Sequence, residues 1–552
     1  MKRSRRGTDS RTRISCIECR KRHVKCDGQQ PCQKCWQDNL SCSYNALAPF
    51  RAKQWDPREA GLPDLPPPSE PVKRASRLSF VSENERVESR YEVIESQPKP
   101  RSTIYDTAGL SSPATSRDGP WASPSSSKAG IPTRMPITDL TEAFFLERYC
   151  RIIGPWFDMF DMKCNWSRNV PHLALSNISL FRAIIASCAK QYSLVARESS
   201  IFALDYYNHA LKELTQALDD PQLIGSPAVF ASCLLTGYCE MIDAKSLDWH
   251  THLRGTFSLC ASQGWHGLCG GVGQSCFWVY CRMDLLASVA RAEKTSLDTT
   301  MWLPEGGSLR PADPRQQWEP DSWCNQVVLL LAETHNLLCD ARQSSHQSTN
   351  QPYLLDRWRK LSANLSEHES GRPPSLHPII HLPPEGRSCP FERLIYASPA
   401  ACAATQMLEV ASLLLLVASP NHGPAERQNR SVADEVSERA LALSRKIVSN
   451  SITNRLTIAW ANAVQLLATA GLVLVAEDER AALVTILEDI KSETGWSVEG
   501  HIQSLNSWWN SIDLRFNQVY GAAVEGTSSE DVLLKRVGDC LVTLVTETMT
   551  YT

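Results

Sequence analysis

The sequence predicts a small cysteine-built head of two short helices, a disordered linker and a large all-helical body, and three observations lead there. Six of the twenty cysteines fall between Cys16 and Cys42 at a duplicated spacing. Residues 46–136 hold 14 Pro and 14 Ser in 91 positions. Beyond them apolar residues recur at helical spacing, and no convincing alternating strand series is found. At 552 residues the chain can bury a large core. With 42% hydrophobic and 21% charged residues it has an ordinary soluble composition, which excludes collagen, a coiled-coil rod and wholesale disorder.

The net charge of −3 hides a split. Residues 1–43 carry eleven Lys/Arg against four Asp/Glu, a charge of +7, which leaves −10 on residues 44–552. A basic head on an acidic body points to a polyanion, and nucleic acid is the usual one. Residues 1–15, which open Met1-Lys2-Arg3-Ser4-Arg5-Arg6, read as a basic, disordered arm serving nuclear import. No apolar stretch follows them, so no secretory signal is expected. The most apolar windows, Met407–Ala418 and Val464–Ala476, are about a dozen residues long against the roughly 20 of a membrane span. They read as core helices, with no membrane partner. Cysteines that stay inside the cell are expected to be reduced.

The head, residues 16–45, carries the chemistry. Its spacing is Cys16-x2-Cys19-x6-Cys26-x5-Cys32-x2-Cys35-x6-Cys42, two copies of one unit, with Pro31 in the loop where the chain reverses. A C-x2-C pair at a helix start lets two thiolates grip one metal, and the next turns bring round a third. Three thiolates per half leave each tetrahedral zinc one ligand short. Two cysteines that bridge both metals solve the count, so two Zn2+ per chain are expected. A disulfide framework fits six cysteines but not a reducing compartment. Two independent zinc ribbons need eight ligands, which His23 alone cannot complete.

Between the second and third cysteines runs Arg20-Lys21-Arg22-His23-Val24-Lys25. This is a short cationic helix sized for a major groove and its flanking phosphates. Its bland alternatives are an import signal or a solvated face.

Cys16–Cys42 resembles the fungal zinc binuclear-cluster (Zn2Cys6) transcription factors at all six ligand positions and at Pro31. The resemblance implies that Cys16 and Cys32 bridge, that Cys19 and Cys26 complete one zinc, and that Cys35 and Cys42 complete the other. It implies recognition of a CGG triplet in GC-rich double-stranded DNA, with Arg22 and His23 reading bases and Arg20 and Lys25 mainly on phosphate. Lys21 belongs to the same DNA-binding stretch. Many members carry Lys at the position of His23; a neutral imidazole still donates one hydrogen bond to guanine N7 or O6.

The linker cannot bury enough apolar surface to offset chain entropy. Within it, Val87, Val93 and Ile94 do not sustain a heptad. From Pro136 the pattern changes. Asp139 with Glu142 marks a helix start. Ala203, Tyr206, Tyr207, Ala210, Leu211, Leu214 and Leu218 keep one helical face. Leu483, Ile486, Leu487 and Ile490 repeat it before Gly495, a C-terminal cap. Loops are expected at Gln343–Pro352, Pro374–Pro390 and Ser419–Asn429. Residues 137–552 thus read as one large all-helical domain, with two lobes allowed.

This body resembles the fungal-specific transcription-factor domain. The resemblance rests on Pro155-Trp156-Phe157-Asp158, His252-Leu253-Arg254-Gly255, Phe277-Trp278-Val279-Tyr280-Cys281-Arg282-Met283-Asp284, Ser398-Pro399-Ala400-Ala401, Asn462-Ala463-Val464-Gln465 and Gly495-Trp496. It implies a helical, regulatory region with no catalytic role. An enzyme is not expected: His250 and His252 lack a third metal ligand at helical spacing, and Gly264–Gly273 follows no strand and lacks phosphate-loop order. Arg282 and Asp284 read as a buried polar network, Trp265, Trp278, Trp508 and Trp509 as packing, and the fourteen scattered cysteines as core filling.

The expected function is a nuclear, sequence-specific regulator of RNA polymerase II genes. The body would answer to a small-molecule effector, a coactivator or a corepressor, with Glu488–Glu493 and Glu525–Leu534 as candidate acidic recruiting stretches. Control of one pathway, nutrient use or a secondary-metabolite gene cluster, is implied by resemblance alone. A scaffold or corepressor using the cluster for protein contacts is the alternative, and an enzyme tethered to chromatin a further one. A monomer on one site and a homodimer held through the body are both allowed.

Overall fold

The structure, a computed structural model, describes Cys16, Glu18, Cys19, Arg22, Val24, Cys26, Asp27, Gln29, Pro31–Leu40 and Cys42 of the head. It also describes residues 137–546 apart from 244–248, 314, 345–350, 385–389, 420–429 and 521–528. The basic arm 1–15 and the linker 46–136 lie outside the described residues, as do Arg20, Lys21, His23 and Lys25. The chain divides into two compact units, one N-terminal and holding the six cysteines Cys16 to Cys42, the other holding the body.

In the head, helix α1 spans Gln33–Gln37, with Cys32 as its N-cap residue. The first half shows a helical turn at Glu18–Cys19, where Arg22 N–H donates to Glu18 O at 3.1 Å.

The body opens on α2, Leu140–Arg148. The Asp139 carboxylate accepts hydrogen bonds from the Thr141 and Glu142 amides, so the expected helix start is present. After a short helix, Gly154–Phe157, come α3 (Ile178–Ala196), α4 (Ile201–Asp219), α5 (Pro227–Met241), α6 (Trp249–Gln263) and α7 (Gly271–Arg291). Helix α3 packs on both α4 and α5. Of the predicted α4 stripe, Ala203, Ala210 and Leu214 are buried, while Tyr206 and Tyr207 are half-buried and bond Glu142 and Glu240 through their hydroxyls.

The second half contains α8 (Pro320–Ser344), α9 (Gln351–Ser370), α10 (Pro399–Val417), α11 (Arg430–Thr453), α12 (Val464–Gly471), α13 (Glu477–Thr494), α14 (Glu499–Tyr520) and α15 (Ser529–Thr546). Helix α10 packs between α8 and α11. It is mostly apolar, long enough to cross a membrane, and 78% buried along its most apolar window, the condition of a core helix. One main apolar core runs from Phe145 to Leu544 through the described residues of the body. Gly495 closes α13 at φ 84°, a left-handed conformation that suits glycine.

Two expectations change. The stretch read as the loop Pro374–Pro390 contains strand β1 (Pro378–Leu382), which pairs antiparallel with β2 (Arg393–Tyr396). A distant side chain stabilises this hairpin: Asn454, just beyond α11, donates Nδ2–H to Leu394 O at 2.7 Å and accepts from Tyr396 N at 3.1 Å. A four-residue strand held from another element leaves little periodicity to read. Second, Glu488–Glu493 is not a free acidic stretch. It lies in α13, with Ile490 fully buried and Asp489 and Glu493 paired with Arg455. The other candidate, Glu525–Leu534, begins outside the described residues.

Candidate metal centre and nucleic-acid interface

The duplicated spacing produces duplicated local geometry. Cys16 Sγ accepts the Cys19 amide at 3.4 Å, and Cys32 Sγ accepts the Cys35 amide at 3.4 Å. Each C-x2-C pair thus wraps one helical turn around its first sulfur. The Asp27 carboxylate accepts the Gln29 and Gln33 amides at 3.2 and 3.0 Å, which orients the entry to α1 and holds Asp27 below the usual carboxylate range. Cys42 returns to accept the Cys32 amide at 3.2 Å.

The sulfurs converge into two groups. Cys16, Cys19, Cys26 and Cys32 lie within 4.8 Å of one another, as do Cys16, Cys32, Cys35 and Cys42. Cys16 and Cys32 belong to both. The sulfur separations are 3.7 Å for Cys16–Cys32, 3.5 Å for Cys19–Cys32 and 3.6 Å for Cys16–Cys35. A tetrahedron of thiolates about 2.3 Å from a zinc has edges of about 3.8 Å. Cys19 and Cys35, which share no group, stand farther apart at 4.0 Å. All six are free thiols.

Five of the six sulfurs are buried, Cys16, Cys32 and Cys35 completely. Burial and neighbouring thiols push Cys19 up to about 12 and Cys35 further. Burial opposes ionisation of Cys16 too, but hydrogen bonds from the Cys19 amide and adjacent thiols draw it down to about 6. Six crowded sulfurs cannot all become thiolates unaided, and bound cations remove that obstacle. The donor set therefore fits soft divalent metal, with sulfur-only ligation characteristic of zinc.

Of the predicted DNA-contacting residues, Arg22 is described. It is exposed, and its Nη2 donates to Asp38 Oδ2 at 2.7 Å. Asp38, the C-cap residue of α1, was not anticipated. A signal existed: Arg22 follows Cys19 by the same three positions that separate Asp38 from Cys35, with opposite charge.

The body shows packing where packing was expected. Trp278, Trp508 and Trp509 are buried, and Trp265 stacks on Phe230 with centroids 4.3 Å apart. Gly267 belongs to this packing: a Cβ there would stand 2.5 Å from the Trp278 ring. Arg282 and Asp284 are buried but do not bond each other; Arg282 donates to Phe157 O, and Asp284 accepts from the Ser296 and Leu297 amides. Most of the scattered cysteines are buried, Cys150 and Cys164 are half-buried, Cys269 is exposed and Cys389 lies outside the described residues. The side chains of His250 and His252 lie outside them as well.

A metal-ready sulfur cluster on a basic N-terminal segment, followed by a helical body, defines a DNA-binding transcription factor rather than an enzyme. Residues 14–49 match the fungal Zn(2)-Cys(6) binuclear cluster domain, and residues 140–521 match the fungal specific transcription factor domain. The second match covers more than half of the chain, which belongs to the fungal Zn2Cys6 transcription factors carrying that C-terminal domain. The chain is similar to transcription activator AMTR1 of Alternaria alternata, 21% identical over 335 residues, 49% of this chain and 42% of that protein. It is also similar to transcriptional regulator PUL4 of Kluyveromyces lactis, 52% identical over 31 residues, 6% of this chain and 5% of that protein. The matches thus span less than half of either relative's length. No solved structure matches the chain.

Proposed function

We propose that the chain is a nuclear, zinc-dependent, sequence-specific regulator of RNA polymerase II genes that reads CGG-type elements in GC-rich DNA. The observation that carries this is the sharing of Cys16 and Cys32 between two four-sulfur groups. Two Zn2+ would be held there, with Cys16 and Cys32 bridging, Cys19 and Cys26 completing one site, and Cys35 and Cys42 the other. Zinc supplies the folding energy of so small a domain, which has almost no other core. Arg22 and His23 are the base-reading residues; Arg20, Lys21 and Lys25 supply cations to the flanking phosphates.

Domain limits follow the chemistry: an import arm at 1–15, the cluster at 16–45, a tether at 46–136 and a regulatory body at 137–552. The charge of −10 outside the first 43 residues disfavours a body lying on DNA, which leaves it to a small-molecule effector, coactivators or corepressors, or a second copy. Control of one pathway is consistent with relatives named as an activator and a regulator.

The deciding experiment is zinc analysis of the full chain with selection from randomised duplexes, with and without chelator. Two zincs and CGG-type sites that vanish on chelation support the proposal. Zinc without sequence selection favours a scaffold that uses the cluster for protein contacts, and absence of zinc overturns both.

A further inference from the structure

Four sequence motifs that stand far apart along the chain meet around one cavity inside the body. Trp156 and Phe157 come from the short helix Gly154–Phe157, Arg282 and Met283 from α7, Asn462 from the turn before α12, and Trp496 from the loop after α13. Tyr238 of α5 completes the aromatic wall, edge-on to Trp156, Phe157 and Trp496. About 40 Å³ of this space is open to the centre of a water molecule. At roughly 10–15 Å³ per water by that measure, this is room for a handful of heavy atoms.

Three polar groups of the wall stand without partners. Trp156 Nε1, Trp496 Nε1 and the Tyr238 hydroxyl are buried and have no hydrogen-bond partner. Trp156 is 2% exposed and Tyr238 1%. Buried donors are ordinarily paired, and these three belong to residues that line one cavity. Arg282 is 3% exposed. Its Nη2 donates to Phe157 O at 2.8 Å and its guanidinium lies 5.3 Å from the Phe160 ring centroid. No carboxylate pairs with it among the described residues. The nearby acids are engaged elsewhere: Asp158 accepts the Trp166 and Ser167 amides, and Asp161 accepts from Asn165 and Ser275. Burial draws Arg282 down to about 10, which leaves it charged at neutral pH. Around these groups Met241, Val279 and Leu286 are apolar.

A buried cation with no carboxylate in hydrogen-bond contact, beside three unpartnered N–H and O–H donors, suits an anion. We propose that this cavity binds a small aliphatic monocarboxylate, its oxygens facing Arg282 and the indole and phenol donors, its alkyl part against the apolar wall. Occupancy of the site would set the state of the regulatory body. That consequence rests on the transcription-factor proposal above; the binding does not.

The test uses the full zinc-loaded chain with propionate, its neutral isostere propionamide, and chloride at matched ionic strength. Tryptophan emission and the unfolding temperature of the body are read. A saturable response to propionate alone is expected. Trp496→Phe and Tyr238→Phe each remove one donor and should weaken binding about tenfold, about 1.4 kcal/mol, and Tyr238→Phe, which deletes only an unpaired hydroxyl, should keep the unliganded unfolding temperature. Arg282→Met should abolish the response; should that variant not fold, the two Phe variants decide. No saturable response in the native chain, an equal response to the amide, or unchanged affinity in both Phe variants overturns the proposal. DNA binding is measured on the same sample. Propionate binding without DNA binding supports the cavity and removes the proposed function; DNA binding without a propionate response does the reverse.

Discussion

Arg22 and Asp38 occupy equivalent positions in the two copies of the cysteine unit, and their side chains meet at 2.7 Å, tying one half of the head to the other. Both are exposed, so the pair contributes little to stability. Its weight lies in where it holds Arg22, a proposed base-reading residue. Asp38→Asn should leave zinc content unchanged and free Arg22 for phosphate. Affinity for unrelated duplexes should rise, with the salt slope steeper by about one contact. Anisotropy titrations across a salt series check this.

Cysteine replacements should separate by group. Cys32 belongs to both four-sulfur groups, whereas Cys26 and Cys42 each belong to one. Cys32→Ser should lose both metals and unfold the head, while Cys26→Ser or Cys42→Ser should retain about one zinc per chain. Metal analysis of the purified variants distinguishes the cases, and equal losses in all three would contradict bridging.

Lys25→Ala should weaken binding to every duplex alike. The slope of log affinity against log salt should fall by about 0.9 without any change in the selected site. A changed site would move Lys25 from the phosphates to the bases.

Two buried histidines should cost the body stability in acid, against the opposite contribution of Asp158, Asp321 and Glu409, whose carboxyls burial raises to about 6, 6 and 8. Burial lowers His335 and His368 to about 4 from an ordinary 6.5, although each bonds a backbone oxygen, Glu293 O at 2.6 Å and Trp323 O at 3.1 Å. A depressed folded-state value means stability that is present above the unfolded pKa and lost as pH falls from 6.5 towards 4. Thermal unfolding of His335→Gln should be flatter than that of the native chain across this window.

Arg480 is buried and holds Asp513 through two hydrogen bonds of 2.7 and 3.2 Å, with Arg536 on the same carboxylate. Burial opposes the Asp513 charge, but the two guanidiniums keep it below the ordinary carboxylate value. Asp513→Ala strands a cation against Trp509 and should cost about 2–3 kcal/mol. A lower urea midpoint at unchanged slope is the expected result.

The parts of this protein determined by sequence alone are those whose physics is local. Metal ligation depends on offsets of a few residues, so the spacing from Cys16 to Cys42 announces two sulfur groups that share cysteines before any fold is known. Helices α2, α4 and α13 announce themselves through the Asp139 cap, the apolar face from Ala203 and the Gly495 stop, because each stabilises backbone within a turn or two of itself. Tertiary structure decided what depends on meetings across the chain. Asn454 makes a hairpin of a stretch with almost no strand pattern. The Arg22–Asp38 pair exists because the two cysteine units fold against each other. Arg282 was expected in a polar network, yet the carboxylates near it are bound to other donors, and it faces a cavity with Trp156, Tyr238 and Trp496. Linear spacing contains no term for such contacts, since they form only when buried faces from distant helices close one common core.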